Sequence, residues 1–294
     1  MRSEKVMYDI ILNLANENKN IRAVYINGSR TNKNAPRDIF QDYDIVYVVD
    51  CIKPFIENKN WINKFGDIIF MQLPDEFADE QTDIENFYGI LMQFSDGNRI
   101  DLHLSSVDYA KKNILRDKLC KILLDKDNIL PKLPEPTDFD YWVKKPSRPE
   151  YLCVCNEFWW CLGNVAKGLW RKEIPYVQDM INFNVRKQLE KMLSWKIGIK
   201  TNFSVSVGKS GKYMYKWLNK NEWQTYLETY DTCTIEKCWI AVEKMCALFD
   251  RNSIYVGEKL RYEYNLQESK NCRKFLKCVR ELPKDANEIC DIKL

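Results

Sequence analysis

Asp42 and Asp44 stand two residues apart at the start of the apolar run 45–49. Because residues i and i+2 of a strand project to the same side, the two carboxylates would converge on one spot. Like charges that close destabilise each other unless a proton or a cation neutralises them, and carboxylate oxygens suit Mg²⁺, which completes its octahedron with water and substrate phosphates. The pair therefore indicates a candidate metal site, although an Asp-x-Asp pair alone is more typical of an exposed junction between a loop and a strand.

Two further features favour the metal site. Gly28-Ser29 follows the β-like run IRAVYI (21–26), where glycine lets backbone N–H groups approach a phosphate and the serine hydroxyl can add a hydrogen bond. Asp101 lies inside RIDLHL, and an aspartate within a strand is disfavoured and needs a reason. The alternation in that segment puts Ile100, Leu102 and Leu104 on one face and Arg99, Asp101 and His103 on the other.

A hairpin connects this segment to the run before it. FYGILMQF (87–94) and RIDLHLSS (99–106) flank Ser95-Asp96-Gly97-Asn98, and the Asp-Gly pair is a strong hairpin signal. The resulting strand order could bring Asp101 beside the strand that carries Asp44. Three carboxylates on one face of a sheet, next to a glycine-containing loop, describe a two-metal phosphoryl-transfer site.

The elements that would position these residues fall into two regions. An amphipathic helix opens the chain, and strands are predicted at 21–26, 44–49, 67–73, 87–94 and 99–106. Residues 107–130 look helical, and five prolines between 131 and 150 favour an extended linker. From about 151 onward apolar residues recur at spacings of three and four, as in a helical domain. We therefore predict an α+β fold with two domains, residues 1–135 and 136–294.

The composition argues against several classes of function. With 45 basic and 42 acidic residues among 294, the net charge of +3 provides no basic stripe for nucleic acid. No stretch approaches the roughly 20 apolar residues of a membrane span, and the N-terminus has no signal-peptide core, so we expect a cytoplasmic protein without a membrane partner. Eleven cysteines without a Cys-x-x-Cys pair, and a single histidine, do not match zinc-ligand spacing and indicate reduced thiols.

The motifs also carry a family resemblance. Gly28-Ser29, Asp42-x-Asp44 and Asp101 resemble the signature of the nucleotidyltransferase superfamily that includes DNA polymerase beta. NGSRTN, QDYDIVYVV, RIDLHL and EFWWCLGNVAKGLWR more closely resemble the aminoglycoside 6-adenylyltransferases, the streptomycin-modifying enzymes of bacteria, over nearly the whole chain. The resemblance implies an N-terminal nucleotidyltransferase domain with a mixed five-stranded sheet, followed by an all-helical substrate-binding domain.

The resemblance implies a reaction as well. Enzymes of this family move AMP from ATP to an aminoglycoside hydroxyl, the 6-hydroxyl of streptomycin, and release pyrophosphate, which gives antibiotic resistance. Asp42 and Asp44 would hold Mg²⁺ against the triphosphate, while Gly28 and Ser29 cradle its oxygens. Asp101 would either ligate a second metal ion or accept the proton of the attacking hydroxyl, and the residues do not decide between these roles.

Other residues are weaker candidates. Lys209 and Lys212 surround a Ser-Gly turn before a predicted helix, where lysine can meet phosphate, and a solvated loop fits them about as well. Arg30 follows the Gly-Ser turn and could contact the triphosphate likewise. Because the acceptor would be polycationic, Glu157 at the start of the Phe-Trp-Trp helix is a candidate acceptor ligand, with an ordinary surface position as its alternative, and Asp179 is a weaker one.

Two alternative functions stay open. The same three aspartates would serve a nucleotidyltransferase with another acceptor, such as a lincosamide, another antibiotic, a protein or, least attractively, RNA. An inactive nucleotidyltransferase-like module that binds a nucleotide or a partner would be expected to lose a carboxylate or the Gly-Ser turn, and this chain keeps all of them. The sequence does not distinguish a monomer from a dimer.

Overall fold

The computed structural model describes residues 1–77 and 82–289, and it divides into two compact units, residues 1–140 and the residues from 141 onward. The proline-rich segment predicts a boundary after residue 135, a few residues before this division. The end of the predicted second domain, 290–294, lies outside the described residues.

The first unit combines a mixed sheet with helices. Within its described residues, six strands form one sheet: β1 (Ile21–Asn27), β2 (Tyr43–Val49), β3 (Ile68–Gln72), β4 (Phe87–Phe94), β5 (Arg99–Ser106) and β6 (Cys120–Asp125). Its α-helices are α1 (Glu4–Glu17), α2 (Lys53–Glu57) and α3 (Val107–Asn113), and 3₁₀ turns span Gly28–Thr31 and Lys59–Phe65.

The expected count of five strands is wrong, because β6 lies in the segment 107–130 that looks helical in sequence. Its apolar part, Ile-Leu-Leu at 122–124, is too short to show either a helical or a strand period. The strand forms because it pairs antiparallel with β1, which lies about a hundred residues earlier, with Asn27 opposite Cys120 and Ala23 opposite Asp125. Partners that distant leave no local signal.

The strand order of the sheet is β3-β4-β5-β2-β1-β6. The predicted hairpin is confirmed, since β4 and β5 pair antiparallel around a turn in which Gly97 has a φ of 86°. β2 runs parallel to β5, and it is buried on both faces: Ile45 and Tyr47 pack in one apolar cluster, and Val46 and Val48 in the other. The strand that carries Asp44 is therefore a central strand of the sheet, covered on both faces.

The second unit is helical, as the sequence predicts, and no strand occurs in its described part, 141–289. Its α-helices are α4 (Arg148–Arg171), α5 (Ile174–Asp179), α6 (Arg186–Lys200), α7 (Lys220–Glu228), α8 (Ile235–Leu260) and α9 (Leu266–Glu281). A π-helical turn, Met180–Val185, joins α5 to α6, and short 3₁₀ turns span Lys209–Gly211 and Met214–Lys216. Its core combines aliphatic and aromatic side chains, and the Phe158 and Phe249 rings stack there with centroids 3.7 Å apart. Among the described helices, none has the length and apolar character needed to cross a membrane.

Candidate active site

The first unit brings together the three aspartates that the sequence singles out. β2 and β5 are parallel neighbours in which Asp44 and Asp101 are register partners. Asp42 precedes β2 by one residue, and the pKa of Asp44 responds to the charges of both Asp42 and Asp101. The hairpin and the parallel pairing thus place three carboxylates on one side of the sheet, at the N-terminal ends of β2 and β5.

Gly28 approaches this cluster through its backbone. It opens the 3₁₀ turn Gly28–Thr31 directly after β1, with a φ of 73°, and its N–H donates to the carbonyl of Leu119 at 2.9 Å. A Cβ at this position would lie 2.3 Å from Oδ2 of Asp44. Glycine is therefore required for two reasons, the left-handed backbone and the close approach to a carboxylate. Ser29 is the next residue of the turn and is half-buried.

Burial and mutual repulsion disturb the ionisation of two of the aspartates. The pKa of Asp44 is raised to about 6, mainly because the carboxyl is buried and also because Asp101 and Asp42 lie close. Burial also raises the pKa of Asp42, while the nearby Arg99 acts in the opposite direction. The positive charge near the cluster therefore does not offset burial and repulsion at Asp42 and Asp44, and a divalent cation would favour their ionised forms.

Arg99 supplies the positive charge that the cluster does have. Its Nε and Nη2 donate to the two carboxylate oxygens of Asp101 at 2.7 and 2.8 Å, and its Nε lies 3.7 Å from Oδ2 of Asp42. The sequence places Arg99 on the same strand face as Asp101 but predicts no role for it. The signal was the Arg-x-Asp spacing, which puts both side chains on one side of a strand.

This ion pair affects how the cluster could hold a metal ion. Across residues 1–77 and 82–289, no group of three or more His, Cys, Asp and Glu side chains stands ready to hold one. The carboxylates of Asp42 and Asp44 fit Mg²⁺ by donor type and by their need for positive charge. The carboxylate of Asp101 has the same chemistry, but Arg99 already occupies both of its oxygens.

Arg30 uses its guanidinium for contacts with the protein's own backbone and with the Tyr43 ring. Its guanidinium donates to the carbonyls of Asp42 and Gln41 at 3.0 and 2.8 Å and lies 3.6 Å from the centre of the Tyr43 ring. A carboxylate oxygen of Glu4 is 3.5 Å away. These contacts tie the segment before β2 to the glycine turn, which positions Asp42. The predicted contact of Arg30 with a triphosphate stays a prediction.

The remaining candidates lie in the second unit. Lys209 and Lys212 are exposed on a tight turn in which Gly208, Ser210 and Gly211 have φ values of 73°, 55° and 70°. The predicted helix after this turn consists of short 3₁₀ segments, and α7 begins at Lys220. Backbone with repeated positive φ can present N–H groups to an anion.

A cavity of about 520 Å³ borders the same turn. Besides Gly208, Ser210 and Gly211, its lining includes Lys144, Lys187 and Lys191 together with Glu150 and Glu190. The sequence pattern predicts no role for these lysines, although Lys187 and Lys191 are separated by one turn of α6.

The two predicted acceptor ligands differ in their surroundings. Glu157 is half-buried on α4, where its carboxylate accepts a hydrogen bond from the thiol of Cys161 at 3.3 Å. Asp179 is exposed and ends α5, immediately before the π-helical turn. Both carboxylates belong to the second unit, whereas the aspartate cluster belongs to the first.

Comparison with known proteins identifies the family. The family model described as streptomycin adenylyltransferase matches residues 1–279, which is nearly all of the chain. The chain belongs to the streptomycin adenylyltransferase family. This membership confirms the family resemblance of the motifs and places the chain among nucleotidyltransferase enzymes.

Individual relatives agree with the family assignment. A protein of Campylobacter jejuni named aminoglycoside 6-adenylyltransferase is 41% identical over 270 residues, covering 92% of this chain and 93% of the relative. Proteins of the same name from Bacillus subtilis and Staphylococcus aureus are 39% and 34% identical, covering 90% and 94% of this chain and 93% and 98% of the respective relatives. The similarity therefore extends over both units.

Proposed function

We propose that this chain transfers AMP from ATP to a hydroxyl of an aminoglycoside, the 6-hydroxyl of streptomycin, and releases pyrophosphate in a Mg²⁺-dependent reaction that gives antibiotic resistance. The observation that carries the proposal is the pairing of Asp44 with Asp101 beside the close approach of Gly28. The names of the relatives support the aminoglycoside as acceptor.

Asp42 and Asp44 are the residues that would hold Mg²⁺, which when bound neutralises charge on the triphosphate. Gly28 leaves room for the Asp44 carboxylate. Ser29, the next residue, would donate its hydroxyl to a phosphate oxygen. Lys209 and Lys212 are the lysines proposed to contact phosphate oxygens. Arg30 contributes by positioning Asp42 through its backbone carbonyl.

In the transfer, the acceptor oxygen forms a bond to the α-phosphorus while the bond from that phosphorus to the pyrophosphate oxygen breaks. The hydroxyl proton passes to a base within hydrogen-bond reach, and Asp101 is the candidate in the cluster. Its other possible role is to ligate a second cation. Glu157 and Asp179 are the carboxylates proposed to contact the polycationic acceptor. We place the reaction in the cytoplasm, where ATP is available.

The test combines purified protein, ATP, Mg²⁺ and streptomycin, and follows pyrophosphate release and the gain of one AMP on the drug by mass spectrometry. Lincomycin and a reaction without drug run alongside, and Asp42→Asn serves as the inactive reference. We expect transfer to streptomycin that disappears with Asp42→Asn or with chelation of the metal. Transfer to lincomycin alone would show that the acceptor is a lincosamide and not an aminoglycoside. Full turnover by Asp42→Asn would overturn the assignment of the metal site.

A further inference from the structure

We propose that Arg99 is an internal cation that competes with the divalent cation for the aspartate cluster, so that a metal ion binds Asp101 only after Arg99 has released it. The inference rests on the proposed function, because it concerns the metal site of that reaction. In this inference, Arg99 neutralises Asp101 while no metal ion is bound and leaves Asp101 when the ion binds.

The contacts of Arg99 are those of a competitor. Its guanidinium makes a bidentate pair with Asp101, which uses both carboxylate oxygens, and it lies 3.7 Å from Asp42. The guanidinium takes one lone pair on each Asp101 oxygen and holds a unit positive charge against both oxygens, and this charge repels a metal ion that approaches the same carboxylate. Cation binding at Asp101 is therefore an exchange of one positive group for another.

The exposure of the two partners fits such an exchange. The Asp101 side chain is 16% exposed, whereas 42% of the Arg99 side chain is exposed. The guanidinium can therefore move into solvent without losing a buried position, while Asp101 stays in the sheet opposite Asp44. Solvent screens the ion pair at the exposed Arg99 side and so weakens it. A divalent cation can therefore displace the guanidinium from Asp101.

Arg30, the other arginine beside Asp42, is placed differently. Its guanidinium donates to backbone carbonyls and stacks on the Tyr43 ring, and its side chain is 11% exposed. Releasing it would leave two carbonyls unpaired and would remove the packing on the ring. Arg30 is thus part of the framework, and Arg99 is the exchangeable cation of the cluster.

The experiment measures binding of Mn²⁺, as a spectroscopic substitute for Mg²⁺, to the full-length protein without nucleotide. The free Mn²⁺ signal is followed by electron paramagnetic resonance in the wild-type protein and in Arg99→Gln, Arg99→Lys and Asp44→Asn. Arg22→Gln is the matched control, because it also removes one positive charge paired with an aspartate, Asp127, but from the end of β1 that lies beside Val49 rather than beside Asp44.

We expect Arg99→Gln to bind Mn²⁺ on the order of tenfold more tightly than the wild-type protein, because a unit charge close to the site no longer repels the ion. Arg99→Lys keeps the charge but loses the bidentate pair, so its affinity should lie between the two. Arg22→Gln should match the wild-type affinity, and Asp44→Asn should bind at least tenfold more weakly.

The outcomes separate the inference from the proposed function. Equal or weaker Mn²⁺ binding by Arg99→Gln, with binding still lost in Asp44→Asn, would overturn the role of Arg99 alone and leave the metal site intact. Binding to the wild-type protein that Asp44→Asn does not weaken would overturn the metal site itself, and the inference with it. Circular dichroism of each variant verifies that the fold is retained.

Discussion

Asp44 and Asp101 face each other as register partners on the adjacent parallel strands β2 and β5. Like charges placed directly opposite each other across a sheet are destabilising, and strands disfavour aspartate in general. The chain nevertheless keeps both, beside a glycine that leaves room for the Asp44 carboxylate. Arg99 pairs with Asp101, but the buried Asp44 carboxyl keeps a raised pKa, so ionisation of Asp44 lowers the stability of the fold. A local loss of stability of this kind is expected at a functional site.

The first prediction is that Asp44→Asn stabilises the metal-free protein at neutral pH. The raised pKa of Asp44, about 6 against an ordinary 3.8, means that the folded protein holds the proton more tightly than the unfolded chain does. Stability therefore falls as the pH rises through this range and the loss is complete above about pH 6, where it amounts to at most about 3 kcal/mol.

The measurement for Asp44 is urea denaturation in EDTA at pH 4 and pH 7.5. The stability difference between Asp44→Asn and the wild-type protein should grow from the lower to the higher pH, because only the wild-type carboxyl must ionise in its buried position. Mg²⁺ added at pH 7.5 should restore the wild-type protein but not the variant. A difference that does not change with pH would contradict the raised pKa.

The second prediction concerns Gly28→Ala, which should abolish AMP transfer while the protein still folds. The new Cβ would meet Asp44 at 2.3 Å and would require a φ of 73°, which costs an alanine about 1–2 kcal/mol. Gly97→Ala is the matched control, since Gly97 has a φ of 86° but open space around it. Similar stability losses with activity lost in Gly28→Ala alone would show that the contact with Asp44 matters, whereas full activity of Gly28→Ala would contradict it.

The third prediction is that Arg30→Met lowers kcat/KM for ATP by at least about tenfold. The methionine keeps apolar contact with Tyr43 but loses the hydrogen bonds to the carbonyls of Asp42 and Gln41. A small displacement of a metal ligand has a large effect on transfer, because catalysis depends on positioning. Steady-state kinetics and Mn²⁺ binding measure the effect. The kcat/KM of Arg30→Lys should lie between the values of the wild-type protein and Arg30→Met. Unchanged Mn²⁺ affinity in Arg30→Met would argue against a positioning role.

The fourth prediction addresses the second unit, where Lys196 of α6 and Glu222 of α7 form a buried ion pair. Their side chains are 9% and 4% exposed, so Glu222→Gln leaves an uncompensated buried charge and should lower the free energy of unfolding by about 3–5 kcal/mol. The double variant Lys196→Met/Glu222→Leu should recover much of that loss.

Thermal and urea denaturation of the full-length protein measure these variants. Asp9→Asn, which breaks the exposed pair of Lys5 with Asp9, is the control and should change the stability by less than about 1 kcal/mol. If Glu222→Gln were no less stable than the control variant, the pair would carry no weight in the stability of this unit.

Much of the site follows from local patterns. The alternation in RIDLHL, the Asp-Gly hairpin signal and the Asp-x-Asp spacing predict which residues share a strand face, because side-chain direction on a strand has a period of two. The same periodicity puts Arg99 beside Asp101. The bidentate contact between them was missing from the prediction, because periodicity specifies a side and not a rotamer.

The local pattern of residues was thus sufficient for the helical second half, the hairpin and the candidate aspartates. Three features depended on the folded chain: the strand β6, the pairing of Asp44 with Asp101, and the binding of Arg99 to Asp101. The third is a contact within one strand, and it depends on rotamers that periodicity does not specify. The first two join segments far apart in sequence. Such contacts are set by the packing of the whole sheet, which short-range propensity does not encode.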